Sequence, residues 1–530
     1  MKLPKSFWVL FALAILGGYI GFYISNKGSL SIERSEPDAS TGDGESQQVV
    51  FDFPEMSPES PVGIDLKFPK GAMDGELVVH LTNREDYLAY IAALNATGTK
   101  PLGQIDELFA VRIPEGALLS VNLDQYDARV SYSYEVERPL PPVQLDPAAL
   151  ASLRPFDFSA REIVNGLPEG DGSDVVVAIL DSGIEAHPQF RDVDIVNMDL
   201  AGSGVSGPGA AHGTSVASII AGKEGIAPNA ELFVVRVLDD QGLGNSYDVA
   251  EGIVQAVDYG VQIINLSLGV YQDTPLLRQA VQYAAQNDVI LVAAAGNDGY
   301  ARMPYPAAYD EVLSVTALDA GGRQAVFPNQ SDEIDFAAPG VGIRTANEDE
   351  GTTLFSGTSA AAPFVSGTLA SLMSGDNAMT TSAAVELMQR YLNDAGAPGT
   401  DPVYGDGAVD WDRLRERSQT GILDIALADI YLSQDALPGT TMPVEVTVQN
   451  RGTKWFNDAE LEVMIEDADP LSFSIGTLGP GQITTRKVFT QIPSLGSDDA
   501  LSLVARVLPE DLNEDIRLEN NLKAVQFRPR

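Results

Sequence analysis

The sequence predicts an α/β domain built on a parallel sheet, with a small α+β unit before it and an all-β sandwich after it. Three observations lead there. Between residues 141 and 417, short unbroken apolar runs such as VVVAIL (175–180) and ILVAAA (290–295) alternate with longer stretches rich in small residues. An apolar run without polar alternation is the pattern of a strand buried on both faces of a parallel sheet. Residues 73–140 instead give one strand, one helix and further strands in close succession, whereas residues 420–530 alternate apolar and polar positions between Pro, Gly and Asn turns. Regular short strands of that last kind form antiparallel sandwiches.

In chain order, Lys2 and Lys5 precede an uncharged run over residues 7–24. That length is about the minimum for a membrane span, and no small-x-small cleavage site follows, so residues 1–27 are expected to be a membrane signal anchor rather than a cleaved signal peptide. Positive charge at the short N-terminus predicts that the remainder is exported. Residues 28–72, rich in Ser, Pro, Asp, Glu and Gly without periodicity, are expected to be a disordered linker. In the unit over 73–140, ELVVHLT reads as a strand, REDYLAYIAALNATG as a helix, LFAVRIP as a strand and RVSYSYEVE as one continuous strand.

Composition narrows the partners. The 75 acidic residues against 33 basic give a net charge of −42, and Lys223 is the only lysine between residues 101 and 453. Such a surface repels nucleic acid and anionic headgroups, so no nucleic-acid partner is expected. The chain has no cysteine, which removes any cysteine nucleophile or disulfide framework.

Four segments carry chemistry: VAILDSGIEAHP around Asp181, HGTSVASIIAG from His212, VAAAGNDG around Asn297 and FSGTSAAAPFVSG around Ser359. A serine hydroxyl is a poor nucleophile until an imidazole takes its proton, and an imidazole acts best when a carboxylate fixes its tautomer. Asp181 falls at the end of an apolar strand, where open α/β sheets collect functional groups. Gly213 and Thr214 are expected to open one helix, and Ser359 to stand near the start of another, where the helix dipole favours developing negative charge. The order Asp, His, Ser differs from the two other common serine-hydrolase orders, and no G-x-S-x-G elbow surrounds Ser359.

These segments resemble those of the subtilisin-like serine peptidases, and the resemblance extends over roughly 155–417 through GIAPNAELFVVRVLDDQGLG, IINLSLG, FAAPGVGI and DPVYGDGAVD. It implies a three-layer fold and an endopeptidase acting through an acyl-enzyme on protein or peptide substrates, with no cofactor. Ser359 would be the nucleophile, His212 the base and acid, Asp181 its orienter, and Asn297 the oxyanion donor. Ser267, Leu268 and Gly269 would bind extended substrate through their backbone. The unit over 73–140 resembles that family's inhibitory propeptide, which implies self-cleavage within 137–150, an anchored precursor and a soluble product. No charge for the specificity pocket can be placed, so a broad or apolar preference is expected. VQNRGT and LNEDIRLENN, within the sandwich at 420–530, resemble segments of the CARDB-type adhesion module.

Departures from the family pattern are informative. Ala360 stands where the family usually has Met, and a sulfoxide beside the nucleophile would be polar and bulky. Activity is therefore expected to survive mild peroxide; rapid inactivation in a residual-activity time course would contradict this. Only Lys223 and Glu224 separate the His segment from GIAP, and Gln189 replaces an expected Asp, so the family's strong calcium site is expected to be missing and no metal ligand is assigned. Gly202, Gly204 and Gly207 match a dinucleotide fingerprint formally, but they lack the strand-to-helix setting and read as a surface loop. The alternative to an enzyme is an inactive, membrane-tethered binding protein that uses the same fold and its sandwich. Occupancy of all four catalytic positions argues against it.

Overall fold

The computed structural model describes residues 68–139, 151–166, 169–207, 209–347, 350–375, 377–433, 437–492, 500–509 and 514–527. The expected anchor at 7–24, the linker up to 67 and most of the 137–150 segment lie outside the described residues.

The central sheet has seven parallel strands: β6 (Val176–Asp181), β7 (Ile195–Asp199), β8 (Glu231–Arg236), β10 (Ile263–Leu266), β11 (Ile290–Ala294), β12 (Val312–Leu318) and β13 (Phe336–Pro339), in the spatial order 13-12-11-10-6-8-7. The intervening β9 (Leu243–Asn245) belongs elsewhere. Successive residues of β6 point into different cores: Val177 and Ile179 face the core shared with helices α2 (Ala211–Ile220) and α5 (Thr358–Leu372), while Ala178 and Leu180 face the one shared with α3 (Ser246–Tyr259) and α4 (Pro275–Gln286). Burial on both faces explains the unbroken apolar run. It also leaves the strand's carboxyl end as the place where Asp181 can reach a partner.

The N-terminal unit is a four-stranded antiparallel sheet of β1 (Glu76–Leu81), β2 (Gly103–Ile105), β3 (Ala110–Pro114) and β4 (Ala128–Ser131), in the order 2-3-1-4, with helix α1 (Arg84–Ala96). One face packs on α1 through Leu77, Val79 and Tyr90. The other contributes Val78, Ile105 and Ala110 to the same core as α3 and α4. Arg112 spans the junction, 3.1 Å from Asp248 and 4.4 Å above the Tyr247 ring. Residues 68–72, assigned to the linker by composition, belong to this unit: Phe68 meets Tyr132 edge-on at 5.4 Å, and Ala72 bridges to Tyr134.

RVSYSYEVE is not one strand. It breaks after Ser131, and β5 (Glu135–Glu137) leaves its own sheet to pair antiparallel with β9. The break has a cause in the partner: Ser246 Oγ accepts the Tyr134 N–H at 3.0 Å, and Ser133 Oγ donates to Asn245 at 3.3 Å.

His80, on β1, is buried at this junction with Nε2 2.6 Å from Ser131 Oγ. Burial pushes its imidazole down to about 4 from 6.5, the neighbouring Gln279 side chain of α4 opposes that, and Arg129 adds to the lowering. A released imidazole takes a proton near pH 6.5 that the packed one refuses. The stabilisation is therefore complete above pH 6.5 and is lost as pH falls toward 4, by about 3 kcal/mol. Thermal midpoints of the parent should fall faster than those of His80→Gln between pH 7 and 4.5; parallel curves would contradict this.

The alternating segments of the C-terminal region form seven strands among the described residues. β16 (Ile425–Leu432), β17 (Thr441–Asn450) and β20 (Ile483–Gln491) form one antiparallel sheet; β18 (Ala459–Ile465), β19 (Leu471–Ile475), β21 (Leu501–Pro509) and β22 (Leu522–Phe527) form the other. Val446, Leu461 and Leu503 meet between them. Among the described residues, no helix is long and apolar enough to cross a membrane.

Candidate active site

Strand β6, helices α2 and α5 and the loop after β11 bring the predicted residues together. Asp181 ends β6 fully buried, and its carboxylate accepts from His212 Nδ1 at 2.8 and 3.0 Å and from the Ser182 N–H at 2.7 Å. Two carboxylate oxygens facing Nδ1 require a proton on that nitrogen, so in the neutral ring Nε2 is the one that can accept. His212 stands in the first turn of α2, which opens at Ala211 rather than at Gly213 and Thr214. The correction has a steric reason, since Gly213 serves close approach: a Cβ there would lie 2.1 Å from the Gly183 carbonyl oxygen. The edge of Phe355 meets the His212 ring at 5.3 Å and 85°.

Ser359 is the second residue of α5, and its Oγ is buried without a hydrogen-bond partner. Four residues on, Pro363 has no N–H to give to the Ser359 carbonyl. Ser267 Oγ supplies that bond at 3.3 Å, and Ser267 in turn accepts from Asn265, which is held by Ser366 of α5. A buried polar relay thus fixes the backbone at Ser359 where the helix alone would leave it unbonded. His212, Asn297, Ser359 and Phe355 line one cleft of about 500 Å³, together with Arg138 and Pro139.

Asn297 is oriented by Thr358, whose N–H and hydroxyl both donate to its Oδ1 at 2.9 Å. That assigns Oδ1 to the helix and turns Nδ2 away from it, toward Gly357, where a Cβ would stand 3.0 Å from the amide nitrogen. Thr358 lay inside a recognised segment, but nothing in the sequence marked it as the group that orients Asn297.

Of the three expected backbone binders, Gly269 alone is seen pairing: its N–H and carbonyl exchange bonds with Glu137 at 3.0 and 3.1 Å. Leu268 is buried in the core, and Ser267 serves the Ser359 carbonyl. On its other side β5, the tail of the N-terminal unit, pairs with β9, and the Arg138 N–H donates to the Gly242 carbonyl at 3.2 Å. Strand β5 and Arg138 therefore run between two backbone edges, and Arg138 and Pro139 then line the cleft of Ser359.

The remaining singled-out positions are structural. His187 Nδ1 accepts from the Gln189 N–H, and its Nε2 lies 3.0 Å from the Gly351 carbonyl. Gln189 Nε2 donates to the Ser218 carbonyl at 2.8 Å, near the end of α2. The Gly202–Gly207 segment is a loop, in which the Gly204 N–H donates to Asp199 and its carbonyl accepts from Arg236. Among the described residues, no group of three or more His, Asp or Glu side chains is placed to hold a metal ion.

This fold and this convergence of Asp, His and Ser define a class, and comparison with known proteins names it. The sequence pattern of the subtilase family, Peptidase S8, matches residues 172–407. Over 244 residues the chain is 35% identical to Subtilisin Savinase of Lederbergia lenta, a match covering 45% of this chain and 89% of that protein. The chain belongs to the subtilase family. It is also 36% identical over 247 residues to the Thermostable alkaline protease of Halalkalibacterium halodurans, and 35% identical over 249 residues to the Minor extracellular protease Epr of Bacillus subtilis. Each of these matches covers 45% of this chain, and they span 66% and 38% of those relatives' own lengths.

Proposed function

We propose that this subtilase is an exported serine endopeptidase that hydrolyses peptide bonds of proteins through an acyl-enzyme and is held inactive by its own N-terminal unit until cut. The single observation that carries the reading is His212 itself, held through Nδ1 by Asp181 and lining the same cleft as Ser359. In this reading His212 takes the Ser359 proton as Oγ attacks the carbonyl carbon, and then returns it to the leaving amine. Asn297 Nδ2 and the Ser359 N–H donate to the oxyanion, and water enters by the same base to release the acid.

The strand at 135–138 supports the inhibitory reading, because it takes the path an extended substrate would take between β9 and Gly269. Pro139 borders the cleft with Ser359, which supports a cut close after it, within the 137–150 segment. Export is supported by the relative named an extracellular protease, and the apolar run at 7–24 would hold the uncut precursor at a membrane. The test is labelling of the full chain by a serine-reactive phosphonate, with turnover of a peptide anilide measured alongside. Label on Ser359 and turnover lost in Ser359→Ala are expected; an unlabelled, inert parent would favour the binding-protein alternative.

A further inference from the structure

A second asparagine stands behind the loop that carries Asn297. Asn329, in the connection between β12 and β13, is fully buried. Its Oδ1 accepts from the backbone N–H groups of Asp298 at 3.1 Å and Tyr300 at 2.9 Å. Its Nδ2 donates to the Ala295 carbonyl at 3.0 Å and to the Tyr271 hydroxyl at 2.8 Å. The Asn329 N–H also donates to the Gly296 carbonyl at 3.0 Å. All the capacity of one primary amide is thus spent, and most of it falls on the residues flanking Asn297.

The approach is close enough to dictate a neighbour. Gly296 has φ +95°, and a Cβ there would lie 2.3 Å from Asn329 Nδ2. Tyr271 extends the tie: its hydroxyl donates to Asp298, and the Arg302 guanidinium lies 4.5 Å over its ring. Tyr271 stands two residues beyond Gly269, whose backbone pairs with the tail strand.

We infer that Asn329 is a positioning residue for the oxyanion donor. It clamps the 295–300 loop so that Asn297 stands at a fixed place beside Ser359, and through Tyr271 it locks that loop to the backbone edge at Gly269. The inference rests on the catalytic reading above. A misplacement of about 1 Å at a catalytic group can cost about 10²-fold in rate, so a clamp of this kind acts on kcat.

The test is a double-mutant cycle on the full-length protein, measuring kcat and KM for a peptide anilide with thermal midpoints alongside. Asn329→Asp keeps the acceptor for Asp298 and Tyr300 and removes both donors. It is expected to lower kcat by about ten- to a hundredfold with KM within about twofold. In the Asn297→Ala background the same change should cost less than about threefold, because the group being positioned is gone. Equal losses in both backgrounds, or a raised KM in place of a lowered kcat, would overturn the inference. If Asn329→Asp does not fold, Tyr271→Phe decides: it leaves the ring under Arg302 and should lower kcat about threefold or more in the parent and not in Asn297→Ala. An unchanged parent kcat there also overturns it. A parent with no turnover at all removes the catalytic reading, and this inference with it, whereas turnover with additive losses removes this inference alone.

Discussion

Replacing His212 by alanine is expected to lower kcat by about 10⁶ while leaving KM within a few-fold. The cleft offers no substitute base. His80 is buried against Ser131 and Gln279, and His187 is bonded to Gln189 and near Gly351, so neither can reach Ser359. Because Ser359 and His212 act as one unit, the double variant Ser359→Ala with His212→Ala should be hardly slower than either single one. Asp181→Asn should cost less, about 10⁴, by favouring the wrong tautomer while keeping the ring in place. Steady-state turnover of a peptide anilide checks all three. Losses that multiply, or an Asp181 variant as slow as the His212 one, would show that the groups do not act through one proton relay.

Asn297→Ala is expected to lower kcat by about 10² to 10³, or about 2.7–4 kcal/mol, with KM little changed. The donor is worth most where negative charge develops, so its loss falls on the transition state rather than on substrate binding. Its orientation strengthens the expectation: Thr358 holds Oδ1 with two bonds, so the amide reaches the reaction already turned. Asn297→Asp should do no better than alanine, since a carboxylate cannot donate and brings like charge to the oxyanion. A loss confined to KM would place Asn297 in substrate binding instead.

Much of this was legible in the sequence because the chemistry is local. Asp181, His212, Asn297 and Ser359 each sit inside a short Gly- and Ala-rich segment, and the strand before Asp181 is apolar because both its faces are buried. What was not legible depends on partners far along the chain. The break after Ser131 is imposed by residues 245 and 246, more than a hundred positions away. The start of α2 was misplaced because Gly213 reads as a helix opener, when it is there to admit the Gly183 carbonyl. Asn329 follows a proline in what reads as an ordinary turn, and its importance comes only from the loop folded against it.

The proposed self-activation requires Ser359 to cut the chain's own tail where Arg138 and Pro139 enter the cleft. Intact-mass measurement of the full-length protein beside Ser359→Ala tests it most directly. The parent should split within residues 137–150, close after Pro139, while the variant stays whole. Both chains remaining whole, or both splitting at the same bond, would contradict it.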